Sequence, residues 1–242
     1  GHAQRMAYIG VQLARATHRP AAEAAGVYYG ALLHHVGVPL VSAGVLPEDV
    51  PASSHAGTVA FTGADTAQHL SLPGAAVTAI GGAAERWDGT GGPAGVSDEE
   101  IPFVARILAL AELAESAVAS NPNPLRARTA APTACFHAAG SVVDPALVVS
   151  LMALMKQDTF WLGLSDVDPV ELIDLAGVST SEREGAQRER LRRCPRVGSR
   201  GIPHRRLREG QLILADIAMR CRGDARGEFI GGGARDRSAR FV

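Results

Sequence analysis

The stretch AAERWDGTGGPAGVSDEEIPFVARILALAELAES, residues 83–116 of a 242-residue chain, decides the fold. Its segment 88–97, DGTGGPAGVS, contains four glycines and a proline, which predicts a loop. Ser97 and Glu100 have the spacing of a capping box, and apolar residues then recur at helical intervals. We therefore predict a loop followed by a long apolar helix over about residues 102–119.

Helical patterns also occur on both sides of this stretch. Apolar spacing and the positions of proline predict further helices at about residues 2–16, 20–36, 56–69, 73–86 and 145–156. Asp144 is predicted to cap the last of these helices, while residues 37–54 are predicted to form a loop and NPNPL at 121–125 to end the long helix. Because no strand pattern and no repeat is visible, we predict an all-α fold.

Composition limits the class of protein. Apolar residues make up 46% of the chain and aromatic residues 5%, so the core is predicted to consist of Ala, Val and Leu. No apolar run reaches the roughly 18 residues of a membrane span, so no membrane partner is expected. The three cysteines, Cys135, Cys194 and Cys221, are odd in number and widely spaced, which favours a reducing, cytoplasmic location. Gly1 already lies within a helical pattern, so we expect an upstream segment or domain.

Charge divides the chain into an acidic body and a basic end. Residues 1–180 contain eight Lys and Arg against 17 Asp and Glu, whereas residues 181–242 contain 16 against eight. We predict a helical domain at 1–157, a connector at 158–180 and a mostly disordered Arg/Gly-rich tail at 181–242. The tail could neutralise nucleic-acid phosphates, although it has few aromatic residues for base stacking, or it could be a frame-shift remnant.

Four segments in a fixed order carry a family resemblance. GHAQRMAYIGVQLA at 1–14, YYGALLHHVGVP at 28–39, the stretch 83–116 and GSVVDPALV at 140–148 together resemble the HD-GYP domain. This family is a branch of the HD metal-dependent phosphohydrolases, and the resemblance covers about residues 1–155. It implies an HD-domain helical bundle and, as the activity, metal-dependent hydrolysis of cyclic di-GMP.

The resemblance also implies a set of site residues. In the family, imidazoles and carboxylates hold divalent ions, Fe or Mn, that clamp a phosphate and activate a water molecule. By position, metal ligation is assigned to four residues, His2, His34, His35 and Glu112. His55 is a further possible ligand, and His69 lies beyond it. Arg86 and Arg106 are predicted to contact substrate phosphates, and Glu115 is predicted to be a solvated or capping carboxylate.

Several family positions are substituted in this chain. His35 stands where the family has an aspartate that can bridge two ions, whereas a neutral imidazole brings no charge and binds one metal per nitrogen. Ala83 and Ala84 replace paired histidines, and a methyl group cannot bind a metal. Val38 replaces a lysine and Gly92 a tyrosine. The sequence therefore predicts a degenerate metal site.

Three functions follow from these observations. The first is a degenerate family member with little or no hydrolysis, acting as a signalling or interaction module, with a divalent metal or none bound. The second is a working phosphohydrolase with a reduced, single-metal site, whose substrate is a cyclic dinucleotide or another phosphoester. The third is a regulatory protein whose basic tail contacts nucleic acid.

Overall fold

The computed structural model describes residues 1–51 and 53–178, and this part of the chain is helical, with no strand. A short 3₁₀ turn, Asp98–Glu100, precedes the longest helix. The ten α-helices of the described residues are α1 His2–Ala16, α2 Ala21–Leu33, α3 Val38–Ser42, α4 His55–His69, α5 Gly74–Gly81, α6 Phe103–Ala119, α7 Pro124–Ala138, α8 Pro145–Met155, α9 Asp158–Ser165 and α10 Pro169–Leu175. The predicted all-α fold is confirmed.

Helices α1 and α6 form the centre of the core, and α2 packs against both. Met6, Ile9 and Leu13 lie three or four residues apart on α1 and are almost fully buried. Ile107 and Leu108 of α6 are also fully buried. Each aliphatic side chain of this size stabilises the fold by about 1.5–3 kcal/mol when buried. The apolar face of α1 therefore fixes where its first residues lie against α6.

The predicted capping box is wrong. Ser97 makes no side-chain hydrogen bond to the residues that follow, which form the 3₁₀ turn, and α6 begins only at Phe103 after Pro102. A proline disfavours helical geometry at the residue before it, and Ile101 is extended, with φ −66° and ψ 125°. Ile101 thus separates the acidic turn from the long helix.

Two helices lie where the sequence predicted a loop or the end of a helix. The predicted loop 37–54 contains α3, and α7 begins at Pro124, within the NPNPL segment. The side chain of Asn123 accepts hydrogen bonds from the backbone N–H groups of Leu125 and Arg126 and so caps α7. This helix contains a proline at 132, and its alanine-rich sequence has only weak periodicity. Apolar spacing therefore does not predict it.

The segment predicted as a connector contains α9 and α10. Phe160, Leu164 and Leu172 in these helices are buried in the same apolar core as α1 and α6. Packing therefore continues past residue 157 to Val178, the last described residue. The predicted tail 181–242 lies outside the described residues.

Within residues 1–51 and 53–178, one stretch is long and apolar enough to cross a membrane, which differs from the expectation that no run would reach that length. It is Ala21–Ser42, which spans α2 and α3, and its mean hydropathy is 1.2. Helices α8 and α9 are long and apolar enough only when they are taken together, and they are bent by 89° relative to each other. The core helix of a water-soluble domain can be as long and apolar, and 56% of the Ala21–Ser42 window is buried within the described domain, so this evidence for a span is weak.

Gly37 is the point at which the chain turns after the adjacent histidines and meets α4. An added Cβ would lie 2.3 Å from the carbonyl oxygen of Val59 and 2.8 Å from the backbone nitrogen of Gly63. Because both atoms belong to the backbone of a packed helix, we expect Gly37→Ala to lower the free energy of unfolding by about 1–3 kcal/mol in urea titrations.

Gly74→Ala is the matched control, since an added Cβ there meets no atom within 4 Å. Its free energy of unfolding is expected to change by less than about 0.5 kcal/mol. Equal stability of the two variants would show that Gly37 does not make this close contact.

Candidate metal centre

Three helices bring a pair of histidines and a carboxylate together. His2 is the first residue of α1, His34 directly follows α2, and Glu112 lies on α6. The Nε2 atoms of His2 and His34 are 3.2 Å apart. Oε2 of Glu112 lies 3.4 Å from Nε2 of His2 and 3.2 Å from Nε2 of His34. These three atoms form a nearly equilateral triangle.

Neighbouring acceptors determine which nitrogen carries the proton when each ring is neutral. Nδ1 of His34 is 2.7 Å from the carbonyl oxygen of Ala31, which can only accept, so Nδ1 donates. Nδ1 of His2 donates in the same way to the carboxylate of Glu115. In the neutral rings, Nε2 then carries a lone pair. Both lone pairs point toward the same place, beside Oε2 of Glu112.

This triangle fits one divalent cation. Ligands about 2.0–2.1 Å from a tetrahedral ion are about 3.3 Å from one another, which is the spacing of these three atoms. Oε2 of Glu112 is buried, and no other group of the described residues donates a hydrogen bond to it. Without a proton or a cation between them, three converging lone pairs repel each other. The donor set is therefore suited to a cation that accepts nitrogen and oxygen ligands, as Zn, Fe and Mn do.

His35 supplies a fourth donor. Its ring lies 3.8 Å from that of His34 between centroids and is nearly parallel to that of His2, at 12°. One ring nitrogen of each of these three histidines lies within 4.8 Å of the other two. Partial burial and, secondarily, the neighbouring His34 lower the pKa of His35, so its ring is neutral at pH 7 and has a free lone pair. We call these three histidines and Glu112 the histidine cluster.

The charge of the histidine cluster favours a cation. A hydrogen bond from the His34 side chain is the main cause that lowers the pKa of Glu112, so this carboxylate is ionised at neutral pH, and a bound cation would replace the proton on Nε2 of His34. The three histidines are uncharged when they act as ligands. One divalent cation would therefore have one anionic and up to three neutral protein ligands.

Glu115 is not the solvated carboxylate that the sequence predicted. Its side chain is only 1% exposed, and it accepts hydrogen bonds from His2 and from Nε (2.8 Å) and Nη2 of Arg5. A buried carboxylate requires such partners. The helical spacing contained a signal: Glu115 lies three residues after Glu112 on α6, and Arg5 three residues after His2 on α1, so each pair shares a face.

Glu115 is predicted to position His2. In Glu115→Gln the amide oxygen can still accept from Arg5, but its NH₂ group would then face Nδ1 of His2 and favour the ring form with a proton on Nε2. We expect the affinity for Zn(II) to fall about 10–100-fold, measured by competition with a chromogenic chelator.

Glu23→Gln is the control, because Glu23 also pairs with an arginine, Arg19, but on the surface of α2. Its Zn(II) affinity is expected to match that of the unmodified chain. If Glu115→Gln keeps full affinity while circular dichroism shows a folded helical domain, Glu115 does not orient His2.

A cavity of about 330 Å³ adjoins the histidine cluster and is mainly apolar. Ala83 and Ala84 line it, so the two positions where the HD-GYP resemblance implies histidines present only methyl groups to the site. Val38, at the position where the resemblance implies a lysine, also lines it. His55, the first residue of α4, lines the same cavity, but it is not among the three histidines whose nitrogens converge.

Arg86, Arg106 and His69 do not line this cavity. Arg86 bonds within its own loop to Asp88 and Thr90. Arg106 is largely buried and donates to Asp144, the capping residue of α8, at 2.8 Å. Their contact with substrate phosphates stays a prediction. His69 is at the other end of α4 from His55, with a side chain that is 77% exposed.

Comparisons with known proteins agree with this fold. Residues 62–147 match the family model described as HD domain; the matched segment includes Ala84 and Glu112 but not His2 or His34. No curated protein matches the chain significantly. This match covers 86 of the 242 residues.

The fold is also similar to a solved structure. This is the crystal structure described as cyclic GMP-AMP specific phosphodiesterases in V. cholerae (V-cGAP3), with a TM-score of 0.59 and 19% sequence identity. The similarity covers 75% of this chain and 49% of that one, so the chain matches about half the length of this relative. At this identity, the likeness shows a shared fold.

Proposed function

We propose that the domain is a degenerate HD-GYP-like protein that binds one divalent cation and hydrolyses cyclic dinucleotides little or not at all. In this proposal it acts as a signalling or interaction module, and its ancestral activity is metal-dependent hydrolysis of cyclic di-GMP. A cytoplasmic location is part of the proposal. Cys135, the cysteine within the described residues, is a free, buried thiol whose pKa burial raises to about 11.

One observation carries the proposal: His2 and His34 lie next to both Glu112 and His35, while the side facing Ala83 and Ala84 offers only methyl groups. Glu115 cannot complete a second site, because Arg5 and His2 already engage both of its oxygens. The ligands therefore suffice for one ion and not for two.

The residues of this chain would each have a limited role in such a site. His2, His34, His35 and Glu112 would hold the cation, which as a Lewis acid polarises a phosphoester oxygen. Glu115 would accept a hydrogen bond from Nδ1 of His2, and the carbonyl oxygen of Ala31 would accept one from Nδ1 of His34, so that both Nε2 atoms face the cation. Val38 cannot donate a proton or a positive charge to a phosphate. The site therefore has no second ion and no lysine to position the phosphate and stabilise its negative charge.

A second candidate is an active phosphodiesterase with a reduced site. The spacing of His2, His34 and Glu112 favours it, because three protein ligands are also the number found in catalytic single-zinc sites. The name of the V. cholerae relative makes cyclic GMP-AMP a substrate to test beside cyclic di-GMP.

The test is hydrolysis of both cyclic dinucleotides with added Mn(II), followed by chromatography of the products. We compare the unmodified chain with the double variant His35→Asp, Ala84→His, which restores a bridging carboxylate and one imidazole on the cavity wall. The proposal expects turnover by the unmodified chain to be absent or at least about 100-fold below that of the double variant. Equal, metal-dependent turnover by both proteins would establish the second candidate instead.

A further inference from the structure

A larger cavity, of about 850 Å³, lies between the end of α6, the start of α7, and α9. Its volume lies within the range of small-molecule sites. Most of its wall is apolar, with contributions from Val118, Pro122, Leu125, Trp161, Leu162 and Leu164. Nothing in the metal-site chemistry described above uses this cavity.

The polar groups at its edge are mainly donors. Arg128 pairs with Asp158, and its guanidinium carbon lies 5.7 Å from the ring centroid of Trp161. Arg5 also lines the cavity, and its bonds to Glu115 use only Nε and Nη2. Because a guanidinium has five N–H groups, both arginines retain donors. Asp158 is the one carboxylate among the described lining residues.

We propose that this cavity binds a small molecule with an apolar body, about the size of one or two rings, and a single anionic group. The apolar wall would bury the body of the molecule, since burial contributes about 25 cal/mol per Å² of apolar surface. Arg128 and Arg5 would bind its carboxylate, sulfonate or phosphate by charge-assisted hydrogen bonds. The ring of Trp161 is held in place, because its Nε1 donates to the carbonyl oxygen of Met155 at 2.7 Å.

Arg5 connects this cavity with the histidine cluster. It lines the cavity, bonds to Glu115, and Glu115 accepts from Nδ1 of His2. An anion bound to the free N–H groups of Arg5 would draw the guanidinium away from Glu115, and this would weaken the hold of Glu115 on His2. The occupied cavity therefore lowers the cation affinity of the histidine cluster. This coupling rests on the proposed function, whereas ligand binding in the cavity does not.

The first test uses the dye 8-anilino-1-naphthalenesulfonate, an apolar anion that fluoresces when it is taken out of water. The full chain, without metal, is titrated with the dye, and we expect saturable binding of one dye per cavity. Arg128→Ala is expected to weaken binding at least fivefold. Arg126→Ala is the matched control, because Arg126 is an exposed arginine on the same helix that does not line this cavity, and it should bind the dye as the unmodified chain does.

Two further measurements separate the shape of the cavity from its charge. Ala119→Trp, at an exposed lining position, would fill the cavity and is expected to abolish binding of the dye. N-phenyl-1-naphthylamine, a neutral dye of similar shape, should bind Arg128→Ala and the unmodified chain equally. If Ala119→Trp binds the anionic dye normally, the cavity is not the site. If Arg128→Ala does so, the site is not selective for anions.

The coupling is tested by Zn(II) titration with and without a saturating concentration of the anionic dye. We expect the dye to weaken Zn(II) binding severalfold, and Zn(II) to weaken dye binding by the same factor, because coupling between two sites is reciprocal. Unchanged Zn(II) affinity in the presence of bound dye would overturn the coupling. Dye binding with no Zn(II) binding at all would overturn the proposed metal site but not the cavity ligand.

Discussion

Replacing His34 with alanine is expected to weaken binding of Zn(II) or Mn(II) at least about 100-fold. His34 is the most buried residue of the histidine cluster, and its Nε2 lies 3.2 Å from both other atoms of the donor triangle. Loss of a partner that only orients a ligand costs about 10–100-fold in affinity, so loss of the ligand itself should cost more. The measurement is competition with a chelator of known affinity at constant pH.

His69→Ala is the matched control for this experiment. His69 is exposed at the end of α4 and bonds to the backbone oxygen of Asp65. Its replacement is expected to leave cation affinity unchanged. A folded His34→Ala protein with the affinity of the unmodified chain would show that the histidine cluster is not the metal site.

Replacing Asp144 with alanine is expected to produce the largest loss of stability, about 3–5 kcal/mol. Asp144 is 4% exposed, caps α8 through the N–H groups of Ala146 and Leu147, and accepts a hydrogen bond from Arg106. Nε of Arg106 is buried with no hydrogen-bond partner among the described residues, so removal of Asp144 would leave a largely buried guanidinium with only the rings of Phe103 and Trp87 beside it. Urea unfolding followed by circular dichroism measures the change.

Asp168→Ala separates the capping effect from the ion pair. Asp168 caps α10 by accepting a hydrogen bond from the N–H of Val170, but it is exposed and has no arginine partner among the described residues. Its replacement should lower the free energy of unfolding by about 1 kcal/mol. Equal losses for the two variants would mean that the pair of Asp144 with Arg106 contributes nothing beyond the cap.

Local signals in the sequence predicted most of the fold. The apolar spacing of residues 2–16 gave the bounds of α1, and Asp144 followed by Pro145 marked the start of α8 correctly. α7 was missed because its stability comes from tertiary packing of small residues such as Ala131 and Cys135, which form no strong amphipathic pattern. The error at Ser97 arose because the spacing of a capping box does not specify the backbone geometry before Pro102.

The candidate metal ligands were predicted from the sequence, whereas the residues that support them were not. His2, His34, His35 and Glu112 were assigned from a family resemblance. The structure places His2 and His34 next to both Glu112 and His35, and cation binding stays a prediction. The roles of Arg5 and Glu115 were not foreseen, because a glutamate on a helix is usually solvated and only the position of α1 against α6 shows that it is buried. The larger cavity near Trp161 lies between α9 and the junction of α6 with α7, and no local pattern in the sequence indicates that these segments come together.

The number of cations per folded chain tests the central claim most directly. The full chain is saturated with Zn(II) or Mn(II), freed of excess metal by gel filtration, and analysed for metal and protein content. We predict one ion per chain, which falls to near zero in His34→Ala and stays at one in His69→Ala. Two ions per chain, both lost in His34→Ala, would contradict the account, and so would a folded chain that binds no ion.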